Sequence, residues 1–184
     1  MMNSVCVYCG SSSRAAEHYF QAARATGEAI AARGWELVYG GARVGLMGVV
    51  ADTVLARGGS VVGVIPRALV EKEVAHRGLT VQHVVESMHD RKALMGELAD
   101  SFLALPGGFG TLDELFEMLT WSQLGFHAKP IGLLNTAGYF DGLLSFCDRA
   151  VDDGFVHAAH RAMIHTGTDP DALLEQMALH ATAS

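Results

Sequence analysis

The stretch 101–114, SFLALPGGFGTLDE, reads as a buried strand, a glycine-rich turn and the opening of a helix. Its first residues are apolar without polar alternation, as in a strand covered on both faces, and Pro106, Gly107, Gly108 and Gly110 interrupt it before Thr111. Such a strand and helix form half of a crossover unit, and the same rhythm continues outward in both directions. Strands are expected at about 3–9, 35–39, 60–65, 80–85, 101–105 and 130–134, each apolar enough to be covered on both faces. Helices are expected at about 15–33, 46–57, 88–99, 111–124, 139–153 and 170–180. In the first of these, Tyr19, Ala22, Ala23, Ala29 and Ile30 supply an apolar stripe. Six strand-helix repeats imply an α/β fold, a single-domain Rossmann-like doubly wound parallel sheet flanked by helices and spanning residues 1–184. In such sheets ligands sit beyond the carboxyl ends of the strands.

Composition bounds the function. The chain has 184 residues, half of them hydrophobic, which suits one domain with a substantial core and excludes a disordered or fibrous protein. The formal charge is −7, and the 13 Lys and Arg residues form no basic run, so a nucleic-acid partner is not expected and a small ligand is. The apolar runs at 46–50 and 61–65 fall far short of the ~20 residues that cross a bilayer, so no membrane role is expected. No basic segment followed by an apolar one and a cleavage site opens the sequence, and a cytoplasmic location is expected. Three cysteines do not make a disulfide framework.

Three expected strands end in glycine loops on one edge: Cys9-Gly10-Ser11-Ser12-Ser13, Gly40-Gly41-Ala42-Arg43-Val44-Gly45, and Pro106-Gly107-Gly108-Phe109-Gly110-Thr111. A single such loop is satisfied by a tight turn. Three on one edge favour an anion, because glycine admits close backbone approach and the following helix offers free N–H groups and a partial positive charge. The third loop lacks the last glycine of a dinucleotide fingerprint and the Gly-Lys-Ser/Thr of a P-loop. Thr111 and Glu114 have the spacing of a capping box, which would account for Glu114 structurally; alternatively Glu114, with Asp113, places a carboxylate beside the anion site, where a base or cation stabiliser is useful. Ser87 is the expected N-cap of the helix that carries Arg91 and Lys92, which either reach an anion over the sheet edge or form a solvated basic pair.

Four blocks together carry a resemblance: Cys9-Gly10-Ser11-Ser12, Gly40-Gly41 with Gly45-Leu46-Met47-Gly48, Met88-His89-Asp90-Arg91-Lys92, and the run from Pro106 to Glu114. They resemble the Lonely Guy (LOG) family, cytokinin riboside 5′-monophosphate phosphoribohydrolases often mislabelled lysine decarboxylases. Later blocks from Thr120 to Gly125 and from Lys129 to Asn135 extend the likeness over nearly the whole chain. The resemblance implies a Rossmann-like fold, a homodimer or higher oligomer, and hydrolysis of the N-glycosidic bond of N6-substituted adenosine 5′-monophosphates, or of AMP, to the free base and ribose 5-phosphate. It implies Arg91 and Glu114 as catalytic residues. It implies nucleotide binding by Met88, Lys92, Gly107, Gly108, Gly110 and Thr111, and by Gly10, Ser11, Gly41 and Gly45 from the matching loops. The implied substrate is a nucleoside 5′-monophosphate, with no cofactor and no metal. The chemistry agrees: cleavage develops oxocarbenium character on the ribose, which a carboxylate such as Glu114 stabilises while orienting water, and Arg91 fixes the phosphate or ribose.

Other features were weighed against this reading. Cys6 and Cys9 have C-x-x-C spacing but lie in a strand and point to opposite faces, so buried structural thiols are expected. His157 and His160 lack the partners of a zinc site, and His89 sits within the basic block as either a helix-surface residue or a titrating neighbour of the nucleotide. Met88, Met95 and Met118 lie at helical positions and fit a core better than a cofactor contact. The segment from Phe116 to Trp121 carries more apolar surface than one buried stripe needs and is a candidate dimer face. A non-catalytic nucleotide-binding module is the main competing function. Pyridoxal-dependent decarboxylation is disfavoured by the lack of a suitably placed lysine, and NAD-dependent chemistry by Gly40-Gly41 where a ribose-binding acid belongs.

Overall fold

The computed structural model describes residues 2–70, 72 and 74–183. Its centre is a parallel sheet of strands β1 (Ser4–Tyr8), β2 (Glu36–Tyr39), β3 (Val61–Pro66), β4 (Val81–Val85), β5 (Phe102–Ala104), β6 (Ile131–Leu134) and β7 (Ile164–Gly167), in the order β4-β3-β2-β1-β5-β6-β7. The helices are α1 (Glu17–Ala32), α2 (Gly45–Ala56), the single turn α3 (Arg67–Val70), α4 (Met88–Leu98), α5 (Phe109–Gln123), α6 (Asp141–Asp152), the single turn α7 (Ala158–Arg161) and α8 (Pro170–Ala183). The six expected strands are present, and the parallel doubly wound architecture is as the alternation implied.

Burial explains the order. The central strands β1, β2, β3, β5 and β6 are buried along nearly their whole length, as β-branched and apolar runs covered on both faces must be. One core layer packs Val5, Val7 and Leu37 against Ile30, Val50 and Met177; the other packs Cys6, Tyr8 and Val38 against Met95, Leu115 and Met118. Cys6 and Cys9 accordingly fall into opposite layers, and with Cys147 they are free thiols.

Three expectations need correction. A seventh strand, β7, was not anticipated, because Ile-His-Thr-Gly is short, mixed in polarity and only half-buried at the sheet edge. The expected full cover of the 80–85 strand does not hold: β4 is the opposite edge, and Val81 and Val84 are exposed. Helix α5 begins at Phe109 rather than Thr111, with Gly108 as N-cap and no side-chain cap bond, so the Thr111–Glu114 capping box does not form.

Candidate active site

The switch point of the sheet lies between β1 and β5, where the chain winds outward in opposite directions. The loops after β1, β2 and β5 converge there on a cavity of about 420 Å³. Gly10 N–H donates to Pro106 O at 3.0 Å, and Leu46 N–H donates to Gly10 O at 2.9 Å, tying the three loops together. Gly45, at φ +59°, sits against the backbone of Ser11 so closely that a Cβ would overlap it, so this contact requires glycine.

Arg91 reaches the cavity because the start of α4 is fixed. Ser87 Oγ accepts from Asp90 N–H at 3.0 Å while Asp90 Oδ2 accepts from Ser87 N–H at 3.1 Å, a reciprocal capping box. One turn on, Arg91 is only 8% exposed; its Nε donates to Val64 O at 3.2 Å and its Nη1 lies 3.0 Å from Glu114 Oε1. The guanidinium lies over Gly40, where any Cβ would collide with Nη2, and Met47 closes the same spot. The solvated-pair alternative for Arg91 is therefore excluded.

Glu114 is 7% exposed on the second turn of α5. Burial raises its carboxyl above the ordinary glutamate value, and the Arg91 guanidinium offsets part of that rise. Nearby, burial likewise pushes the Cys9 thiol up, with Glu114 adding to the effect, and burial raises Cys6 and Tyr8. These groups stay neutral, so neither thiol serves as a thiolate beside the site.

The sequence-derived site residues divide into two groups. Gly10, Ser11, Arg91, Gly108, Gly110, Thr111 and Glu114 line one cavity. Gly107 faces an adjoining cavity of about 420 Å³, also bounded by Gly10, Ser11 and Gly108, and its carbonyl accepts from Tyr139 Oη at 2.6 Å. Gly41 (φ +73°) and Gly45 shape the loops behind the lining. Met95 and Met118 are buried as expected, but Met88, on the first turn of α4 beyond the sheet edge, is exposed rather than in the core, with Sδ 3.9 Å from Arg91 Nη1. Lys92 points instead to α5, with Nζ 3.0 Å from Asp113 Oδ2 and 3.2 Å from Glu117 Oε2. Burial by itself would lower the Lys92 ammonium, yet the hydrogen bond to Asp113 and the adjacent Glu117 carboxylate hold it above its usual value.

Sequence reasoning missed Gly40 as the seat of the guanidinium, Tyr139 as the brace of the Gly107 loop, and the apolar lining by Met47, Leu69 and Val74. Gly40 was legible as a loop glycine but not as a partner of a residue on another element. Among the described residues no lysine lines the cavity, and Lys129 Nζ is engaged by Gly96 O at 2.6 Å, so the donor set does not fit a pyridoxal Schiff base. Among the described residues, no group of three or more His, Cys, Asp or Glu side chains could hold a metal, and no helix is long and apolar enough to cross a membrane.

An open parallel sheet with a buried Arg-Glu pair at its switch point, beneath a glycine loop that opens a helix, defines an α/β protein built to hold a small anionic ligand against a carboxylate. The sequence family described as possible lysine decarboxylase matches residues 47–177. The chain is 52% identical over 162 residues to the cytokinin riboside 5′-monophosphate phosphoribohydrolase of Rhodococcoides fascians, covering 88% of this chain and 82% of that one. It is 46% identical over 171 residues to the cytokinin riboside 5′-monophosphate phosphoribohydrolase LOG2 of Arabidopsis thaliana, covering 93% and 80%. The chain belongs to this LOG family. Among solved structures, the molybdenum cofactor binding protein of Rippkaea orientalis shares the fold at a TM-score of 0.74 and 22% identity, covering 97% of both chains. The Moco carrier protein of Chlamydomonas reinhardtii shares it at 0.74 and 19%, covering 100% of both.

Proposed function

We propose that this protein hydrolyses the N-glycosidic bond of adenosine 5′-monophosphates, N6-substituted ones and AMP, releasing the free base and ribose 5-phosphate. The observation that carries the reading is the buried Arg91–Glu114 pair on the floor of a cavity whose rim is the N-terminus of α5. The amides opening α5 and the Ser11 loop receive the phosphate, which anchors the substrate away from the bond to be cut. Arg91 positions the ribose phosphate, and Glu114 faces the anomeric carbon. As the C1′–N9 bond breaks, its electron pair leaves with the base, and the Glu114 carboxylate stabilises the positive charge that develops on the ribose. Water adds to C1′; Glu114 accepts its proton, and overall that proton leaves on the departing base.

The buried position of Glu114 supports catalysis over mere carriage, because a ligand carrier gains nothing from a carboxylate beside bound phosphate. We take residues 1–184 as one catalytic domain, supported by the single sheet, and assign the protein to the cytoplasm, a reading consistent with its free thiols. We also infer a homodimer formed through the exposed apolar side of α5. The deciding assay measures base and ribose 5-phosphate release from AMP and from N6-isopentenyladenosine 5′-monophosphate, with Glu114→Gln and Arg91→Ala in parallel. Release by the parent protein and its loss by at least about a hundredfold in both folded variants is the expected result. Nucleotide binding with no release from either substrate would favour the non-catalytic module.

A further inference from the structure

The phosphate-receiving amides begin at two consecutive glycines, and the peptide between two glycines rotates freely unless something outside the loop holds it. Gly107 is wedged in place, since a Cβ there would overlap Thr111 Oγ1, whereas the same position on Gly108 faces open space. Among the described residues the Gly107 carbonyl has one partner, the Tyr139 hydroxyl, which donates to it at 2.6 Å. In a trans peptide the C=O and the following N–H point to opposite sides, and no cis peptide occurs among the described residues. Tyr139 lies in the adjoining cavity, so drawing Gly107 O toward it turns the Gly108 N–H the other way, to the catalytic cavity that Gly108 also lines. Among the described residues no group accepts from that N–H, and it extends the set of unpaired amides on the first turn of α5.

The connection after β6 is shaped to present Tyr139. Ala137 (φ +53°) and Gly138 (φ +73°) turn the chain through two successive left-handed residues, and Ala137 is the one described non-glycine residue with positive φ. Its side chain makes that conformation costly, so the surrounding contacts must hold it. Asn135 does so from both sides: its Oδ1 accepts from Phe140 N–H at 2.7 Å, and its Nδ2 donates to Asp141 Oδ1 at 2.7 Å. Phe140 is anchored in the core, and the Tyr139 ring meets it and Tyr19 edge-on, with centroids 5.1 and 5.6 Å away. Strain maintained in this way marks a side chain whose placement matters.

We propose that Tyr139 is a positioning residue of the phosphate site: its hydroxyl locks the Gly107–Gly108 peptide with the Gly108 N–H aimed at the 5′-phosphate, and so sets the affinity for phosphorylated ligands without touching them. The proposal rests on the glycosidase reading above for where the phosphate lies. Its test measures dissociation constants for AMP, ribose 5-phosphate and adenosine, kcat and KM for AMP, and the thermal midpoint in the parent, Tyr139→Phe and Tyr19→Phe proteins. Tyr139→Phe keeps the ring and its packing and removes only the donor. It is expected to weaken AMP and ribose 5-phosphate about tenfold and to raise KM for AMP as much, with kcat and adenosine binding within about twofold of the parent and the thermal midpoint unmoved. Tyr19→Phe, on a neighbour that lines the same cavity with no hydrogen bond to the loop, leaves all of these at the parent values. Unchanged affinity for both phosphorylated ligands in Tyr139→Phe, an equal loss for adenosine, or the same losses in Tyr19→Phe would overturn the proposal. A parent that binds AMP and cleaves no nucleotide removes the glycosidase reading, while the contrast between AMP and adenosine still decides the role of Tyr139. A parent that binds neither AMP nor ribose 5-phosphate overturns both.

Discussion

Glu114 carries a tension that its chemistry uses. Its carboxylate must be ionised to stabilise a cationic ribose and accept a proton, yet burial favours the neutral acid and raises its pKa. Arg91, 3.0 Å away, restores part of the ionised population. The sign follows directly: activity requires the deprotonated form, so it falls as pH drops through the raised value, and it falls at a higher pH than an unperturbed glutamate would give. The kcat/KM profile for AMP is therefore expected to show an acid limb above the ordinary carboxylate range. Replacing Arg91 with Met removes the offsetting cation, which should move the limb of any residual activity further toward neutral. An acid limb at the unperturbed glutamate value would remove Glu114 as the titrating base. A buried pair of this kind adds little to stability, since desolvating both charges costs about what their attraction returns, so its retention in the cavity is better explained by function.

At the scale of elements, the site depends on how α4 lies against α5. Two contacts set that register: Arg91 with Glu114, and Lys92 with Asp113 and Glu117 on either side of it along the helix. Both Lys92 contacts run inside the fold, and we propose that this residue acts as a brace. Lys92→Met is expected to lower kcat by about tenfold or more while leaving KM for AMP within about threefold, because what it loosens is the placement of Glu114. A Lys92 that gripped phosphate would give the opposite split, a large rise in KM. Both possibilities begin from the same short block, Met88 to Lys92, and this shows where sequence reading stopped. Six of the seven strands, helix α4 with its Ser87 cap, and the three glycine loops were legible because each follows from local propensity and periodicity, whereas the short, half-buried edge strand β7 offered neither. Arg91 and Glu114 were legible as residues of the site, but the turn of Lys92 away from the cavity was not, since it depends on where α5 runs. The same holds for Gly40, whose missing side chain makes room for a guanidinium from another element. The early start of α5 at Phe109 escaped notice because Thr and Glu at capping-box spacing gave a plausible local solution one turn too late.

For the whole molecule, the remaining question is what covers the apolar surface that the sheet does not use. Helix α5 buries Leu115 and Met118 against the sheet but leaves Phe116 on its outer side, where it shares a groove with Phe146 of α6, which is 64% exposed. Leu124 and Phe126, just past the end of α5, extend the exposed surface. Phe109, 94% exposed at the mouth of the cavity, lies at the other end of the same helix. A monomer would leave this apolar strip in water, whereas a second copy laid against it could cover about 800 Å² on each chain, the size of an ordinary stable interface. The arrangement would be two-fold, because a single strip on each chain can cover itself only by facing its own copy. Light scattering is therefore expected to give at least twice the mass of one chain. Phe116→Asp combined with Phe146→Asp, both on the outer surface, should bring it to the single-chain value without unfolding the sheet. If α5 also brings the partner close to Phe109, the separated chains will lose activity as well as mass. If instead the mass falls and turnover persists, each cavity is complete within its own chain and the dimer serves only to cover the strip.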